Sequence, residues 1–328
     1  MQRFSRAVVA ILVAVILASM LAGCGGSSAP APQSPPPKAP EAPQKKEVVL
    51  GVSLPSSDNP FFVRMRNGIE DAAKKAGVTA KVLLAQENQS KQLSDIEDLI
   101  QSKVDAIIFV PVDVAAAVPA VEAAVKAKIP VIDLNRRVNS DKYITRIGSD
   151  DVQVGAKIAE YICRKLNGKG QIVLLRGQAG ASVAEQRREG FMNTLKKYPD
   201  IKILADMTCK HQRAEGLRIM EDLLQAHKTI DAVYCINDEV ALGAMGAITA
   251  AKRQGIIVTG IDANPDALQA IKDGKITLTV AQKPVLMGRL GVESALNVIK
   301  GEKIDKEIVT DIVMIDKENV STVDLTGN

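Results

Sequence analysis

The chain has no tryptophan, five phenylalanines and four tyrosines, so aromatic residues make up 3% of its 328 positions. That scarcity argues against the stacked-ring platforms that hold single-stranded nucleic acid. No dense basic block compensates, and the formal net charge is only +4. Nucleic acid is therefore not an expected partner. Histidine is rarer still, with His211 and His227 alone, and the four cysteines are Cys24, Cys163, Cys209 and Cys235. None of these falls in a CxxC or HxxxH spacing, so no metal site is expected. A GxSxG nucleophile elbow, a GxxxxGK[ST] phosphate loop and an HExxH helix are all missing, and no pair of carboxylates stands out as acid and base. Neither an enzyme nor a bound cofactor is expected.

What is present begins with an export signal. Arg3 and Arg6 precede an apolar stretch from Ala7 to Met20, followed by small residues. The stretch is short of the roughly 20 residues that a membrane span needs. Residues 1–23 are therefore set aside as a signal peptide. "LAGC", Leu21 to Cys24, resembles the lipobox of bacterial lipoproteins. That resemblance implies that Cys24 carries a diacylglycerol and becomes the mature N-terminus. Several acyl chains on one residue hold a protein firmly to a membrane. Seven of the fifteen prolines fall in residues 25–46. Such a segment has nothing to build a core from, so 24–46 is expected to be a disordered tether. At about 3.1 Å per residue it would reach roughly 70 Å. The expected location is outside the cytoplasm, lipid-anchored to the cell membrane and facing the periplasm or exterior.

From Glu47 onward the pattern alternates. Continuous apolar runs such as "VVLGVSL" (48–54), "DAIIFVP" (105–111), "QIVLLRG" (171–177) and "DAVYCIND" (231–238) read as buried parallel strands. Between them lie stripes at helical spacing, for example Phe62, Met65, Ile69, Ala72, Ala73 and Ala76, closed by Gly77. Helices are predicted over 61–76, 92–102, 115–127, 151–167, 182–197, 212–226, 239–253, 265–272 and 284–299. A last strand is predicted over 307–315. The fold class is α/β, with two doubly wound parallel-sheet lobes, each long enough to bury its own core.

In open parallel sheets, ligands bind in the crevice beyond the carboxyl ends of the strands. The residues found there suit a sugar. A sugar's C–H faces pack on rings, and its hydroxyls both donate and accept, so planar polar groups meet them best. Phe61 and Phe62 supply rings. Asn59, Arg136, Arg187, Asn237, Asp262 and Gln282 supply the polar groups. Each has a plainer reading. Phe62 lies on the apolar stripe of its helix and suits the core. Asn237, Asp238 and Asp262 suit helix caps. Arg187 has Glu185 and Glu189 within reach, and Gln282 suits a hinge backbone.

"NPFF" (59–62), "GSDD" (148–151), "REGF" (188–191), "NDEVALGA" (237–244), "GIDANPD" (260–266) and "AQKP" (281–284) occur in one order. Together they resemble the ribose-type sugar-binding proteins of bacterial ABC importers, which have the type I periplasmic-binding-protein fold. The resemblance runs from about Val48 to Lys317. It implies two lobes joined by three crossings, near Gly148–Asp150, Ala281–Lys283 and Val309–Ile312. The lobes would be 47–149 with 282–310, and 150–281 with 311–328, closing by a hinge on a small sugar or polyol. It also implies a monomer that delivers its ligand to an ABC permease and its ATPase.

The chain departs from the ribose pattern at three points. Val110 stands where an Asn is usual, Asn135 replaces an Asp beside Arg136, and His211 replaces an aromatic ring. These departures point to a ligand other than ribose. Lys210, Arg136 and Arg137 raise the prospect of an acidic sugar. The family's strand order sets the strand 171–177 between Cys209 and Cys235, about 9.6 Å apart. A disulfide needs under about 7 Å, so free thiols are expected. Presentation of a sugar or furanose-like signal to a membrane sensor remains the alternative function.

Overall fold

The computed structural model describes residues 47–328; the signal 1–23, Cys24 and the tether 24–46 lie outside the described residues. After Val48 the apolar run forms β1 (Val49–Leu54), almost wholly buried, as a central parallel strand must be. It feeds α1 (Pro60–Ala76). Asn59 sets the start of that helix: its side-chain oxygen accepts from the Phe61 N–H, and Pro60 takes the first helical position. Gly77, with φ of 68°, closes it in the left-handed conformation.

The alternation continues through β2 (Thr79–Leu84), α2 (Gln89–Gln101), β3 (Ala106–Phe109), α3 (Val118–Lys126), β4 (Val131–Leu134) and β5 (Thr145–Gly148). The second lobe repeats it with α4 (Asp151–Lys165), β6 (Lys169–Arg176), α5 (Ser182–Leu195), β7 (Asp200–Thr208) and α6 (Arg213–Ala226). Then come β8 (Ala232–Cys235), α7 (Asp238–Ala250), β9 (Ile257–Thr259), α8 (Pro265–Lys272) and β10 (Leu278–Ala281). Finally α9 (Pro284–Ile299) returns to pack on α1 and the first sheet. β11 (Glu307–Val309) joins the first sheet and β12 (Val313–Asp316) the second.

The two sheets share one strand order: β2-β1-β3-β4-β5-β11 and β7-β6-β8-β9-β10-β12. Each is covered by helices on both faces, with separate apolar clusters on either side. The chain passes between sheets three times: after Gly148, after Ala281 and after Val309. All three passages leave from the carboxyl edge of the parallel strands, so both crevices open toward the same hinge.

Three local features differ from the sequence expectation. The apolar stretch 307–315 is not one strand but two, split between the sheets at the third crossing. β12 runs antiparallel to β10, because the chain enters the second sheet from its crevice edge. The third helix starts at Val118 rather than 115, since Asp113 ties the Ala115 and Ala116 N–H groups into a turn before Pro119 opens the helix. Cys163, Cys209 and Cys235 are free and buried, with β6 lying between β7, which Cys209 directly follows, and β8, which ends at Cys235.

Glycine fixes one packing that matters for function. A Cβ on Gly155 would sit 1.9 Å from the Arg187 carbonyl oxygen, and one on Gly190 would sit 1.9 Å from that of Val152. α4 and α5 therefore touch backbone to backbone, which brings Arg187 onto Asp151.

A candidate ligand-binding cleft

The carboxyl edges of the two sheets enclose a small cavity, with about 300 Å³ of atom-free space that includes its opening to solvent. Its first-lobe wall is Asn59, Phe61, Phe62, Asn135 and Arg136. Val183, Arg187, His211, Asn237 and Asp262 form the second-lobe wall, and Gln282 comes from the second crossing. The lobes are closed on it. The Val114 N–H donates to the Gly180 carbonyl at 2.9 Å, and the Arg137 N–H to Ser182 Oγ at 2.7 Å, each bond spanning the cleft.

The apolar part of the wall is a ring pair. Phe61 and Phe62 meet edge to face, with centroids 5.4 Å apart, at the first turn of α1. The Arg136 guanidinium carbon lies 5.3 Å from the Phe62 centroid, so the ring helps to hold that cation. Both rings also belong to the first-lobe core, each 4% exposed.

A buried ionic network forms the opposite wall. Arg187 donates from Nε to Asp151 Oδ1 at 2.7 Å, from Nη1 to the Ile236 carbonyl and from Nη2 to Gln282 Oε1, both at 2.9 Å. Asp151 lies 3.7 Å from the Arg146 guanidinium as well. A buried carboxylate between two guanidiniums is compensated, and the network fixes Gln282 in one orientation. Its amide Nε2 then has no partner among the described residues. Asn135 Nδ2, Arg136 Nε and His211 Nε2 are likewise buried without partners. Buried polar atoms are normally paired, so these four donors are exceptions gathered on residues of one cavity.

Asp262 supplies an acceptor. The chain bends sharply there: Asp262 has φ of 118° and Ala263 of 54°. Burial pushes its carboxyl up from 3.8 to about 7, against the nearby charges of Arg187 and Arg64. His211 also has positive φ, 58°, and accepts the Gln178 N–H at Nδ1. Burial, reinforced by Arg136 and Arg187, holds its pKa well below the usual imidazole range. The neutral ring with Nδ1 accepting carries its proton on Nε2, a donor. Gly177 makes room for that edge, since a Cβ there would meet Nε2 at 2.4 Å.

Comparison with known proteins places this arrangement. Residues 50–303 match the periplasmic binding protein domain. The ribose import binding protein of Bacillus subtilis (strain 168) is 41% identical over 264 residues, covering 80% of this chain and 86% of its own length. The chain belongs to the periplasmic-binding-protein family. That is a family of solute-binding proteins, not enzymes. Among its solved members, an ABC transporter solute-binding protein from Bacillus halodurans C-125 with bound myo-inositol superposes with a TM-score of 0.81. It is 33% identical and covers 84% of this chain and 96% of its own. The fructose-binding periplasmic domain of the hybrid two-component system BT1754 superposes with a TM-score of 0.80, at 32% identity, covering 84% and 92%.

Within this periplasmic-binding-protein cleft, the ten residues singled out from sequence all line one cavity. Several plainer roles coexist with that position. Asn59 and Asn237 both cap helices; the second also donates to the His211 carbonyl at 3.3 Å. Arg187 pairs with Asp151, not with Glu185 or Glu189. Val183 is the lining residue that sequence reading missed; an apolar side chain in the first turn of α5 carries no polar signal. Lys210 and Arg137 do not line the cavity, and Arg137 is tied to Glu307 at 2.5 Å.

Proposed function

We propose that this protein captures a small neutral sugar or polyol between its two lobes outside the cytoplasm and delivers it to an ABC import permease. The lobes are assigned as 47–149 with 282–310, and 150–281 with 311–328. One observation carries the reading: unpartnered donors on Asn135, Arg136, His211 and Gln282 surround the Asp262 acceptor beside two rings. A molecule with several hydroxyls and an apolar face satisfies all of these at once, and one lacking a hydroxyl leaves a buried group unpaired. The ten predicted residues are taken as its contacts.

Geometry weighs against an acidic ligand. Of the three cations that motivated it, only Arg136 reaches the cavity, and its guanidinium lies 3.5 Å from Glu87. Asp262 adds negative charge as the site ionises. A thermal-shift panel of neutral pentoses, hexoses and cyclic polyols against sugar acids and sugar phosphates tests this. Neutral ligands are expected to raise the melting temperature by mass action. A shift with the acidic compounds alone would overturn the neutral reading, and no shift with any compound would overturn sugar binding.

Anchoring belongs to the same proposal and rests on the "LAGC" stretch ending at Cys24. Replacing Cys24 with Ala is expected to release the protein from membranes into the soluble fraction; unchanged membrane retention would refute it. Presentation to a sensor is a second reading, supported by the likeness to the domain of a hybrid two-component system. Loss of sugar uptake on deleting the gene favours import, and loss of a transcriptional response with uptake intact favours sensing.

A further inference from the structure

Arg64 lies on α1 in the first lobe, outside the cavity wall. Its guanidinium crosses the cleft. Nη2 donates to the Asp262 carbonyl at 2.9 Å and to Asn264 Oδ1 at 2.8 Å, and Nη1 reaches the Ala263 carbonyl at 3.3 Å. Three consecutive residues of one turn are thus gripped by one side chain from the opposite lobe. Two of those residues, Asp262 and Ala263, hold left-handed φ values that L-residues seldom adopt. Such backbone persists when surrounding contacts over-determine it.

Other contacts hold the same turn. The Asn264 N–H donates to Asp238 Oδ2 at 2.7 Å, and the Ala263 N–H to Thr279 Oγ1 at 3.2 Å. Asn328 Nδ2 reaches the Asp262 and Ala263 carbonyls at 3.3 Å each. The contacts through Asp238 and Thr279 come from the second lobe itself and do not depend on closure. Arg64 differs: its grip exists only when the lobes meet.

We propose that Arg64 is a positioning residue for ligand binding: from the first lobe it locks the Asp262–Asn264 turn on closure and aims the Asp262 carboxylate at the ligand. This deepens the sugar-binding reading and rests on it. The charged groups facing Asp262 are Arg187 from α5, Arg64 from α1, Asp151 from α4, and Glu239 and Asp238 from α7. The two arginines favour its ionised form, which accepts hydroxyl protons best, and the three acids oppose it. Affinity is therefore expected to fall as pH is lowered through the neutral range. Removing the Arg64 charge moves that fall to higher pH.

The test is calorimetric titration between about pH 5 and pH 9 with D-ribose, D-allose and myo-inositol as probes. It compares the unsubstituted protein with Arg64→Met, Arg64→Lys and Asp262→Ala. Arg64→Met is expected to weaken binding about tenfold or more and to shift the pH fall upward. Arg64→Lys keeps the charge but not the fork, so it weakens binding while leaving the pH fall in place. If Asp262→Ala weakens binding and Arg64→Met changes neither affinity nor pH profile, the role of Arg64 is refuted and the cleft reading stands. A lower melting temperature with affinity and pH profile intact likewise reduces Arg64 to a structural residue. Full affinity in Asp262→Ala, or silence with these three probes and with every compound of the thermal-shift panel, overturns the cleft reading and the Arg64 role with it.

Discussion

The two walls of the cleft are built on the same strand order yet do different chemistry. The first lobe offers rings and donors: Phe61, Phe62, Asn135 Nδ2 and Arg136 Nε. In the second lobe stand the acceptor Asp262, the donor His211 Nε2 and a buried network of Arg187 and Asp151 that orients Gln282. A hydroxyl both accepts and donates, so one hydroxyl can accept from the first lobe and donate to the second. The difference teaches how closure is coupled to ligand. Closing the cleft without ligand buries unpaired donors and a desolvated carboxylate, and a polyol removes both costs.

The sharpest way to break this comparison is to remove the network behind the second wall. Arg187→Met leaves Asp151 buried with Arg146 as its remaining partner at 3.7 Å. A loss of about 3–5 kcal/mol in stability is expected from denaturant unfolding. Asp262→Ala probes the acceptor itself. It is expected to cost about 2–3 kcal/mol in binding by calorimetry, with a far smaller change in stability. Arg136→Met probes the opposite donor; it is expected to cost about 1–3 kcal/mol in binding. Equal losses for Asp262→Ala and Arg136→Met, with little further loss in the double variant, would show that both act through one bridging hydroxyl.

A pH series separates the lobes in another way. Asp133, on β4 of the first lobe, is fully buried and raised from 3.8 to about 8, mainly by burial. Asp262 in the second lobe is raised to about 7. A carboxyl raised in the folded state favours folding while protonated, so this contribution is full below 3.8 and is lost as pH rises toward 8. Unfolding midpoints are expected to fall between pH 5 and pH 8. Asp133→Asn should flatten much of that slope. A midpoint that rises over this range would contradict the assignment. The smallest effect expected is that of His211→Phe, which restores a ring and removes a donor. It should change affinity by about 1 kcal/mol and alter preference among hydroxyl patterns, read from the same sugar panel.

Much of this is legible in the sequence, for identifiable reasons. Apolar runs bounded by Pro, Gly and Asn mark buried strands, and strand ends in doubly wound sheets mark the crevice. Asn59, Asn237 and Asp262 are each found from that rule alone. Val183 is not, because an apolar residue at a helix start looks like core, and it does pack in the core as well. Asp151 lies in "GSDD" with no local sign of its role, which depends on the backbone contact of α4 with α5. Arg64 carries no local signal at all. It lies on the same helix as the two rings, and only the meeting of the lobes brings it to residues nearly 200 positions later. The single apolar stretch 307–315 hid a change of sheet, since period and composition do not report which sheet a strand joins.

The most direct test of the bridging claim is a crystal structure of the protein with whichever neutral sugar or polyol gives the largest thermal shift. The account predicts a ligand packed on Phe61 and Phe62, with a hydroxyl within about 3 Å of both a first-lobe donor, Asn135 or Arg136, and the Asp262 carboxylate. A ligand that touches one lobe only, or that sits outside the space between the two sheets, would contradict it.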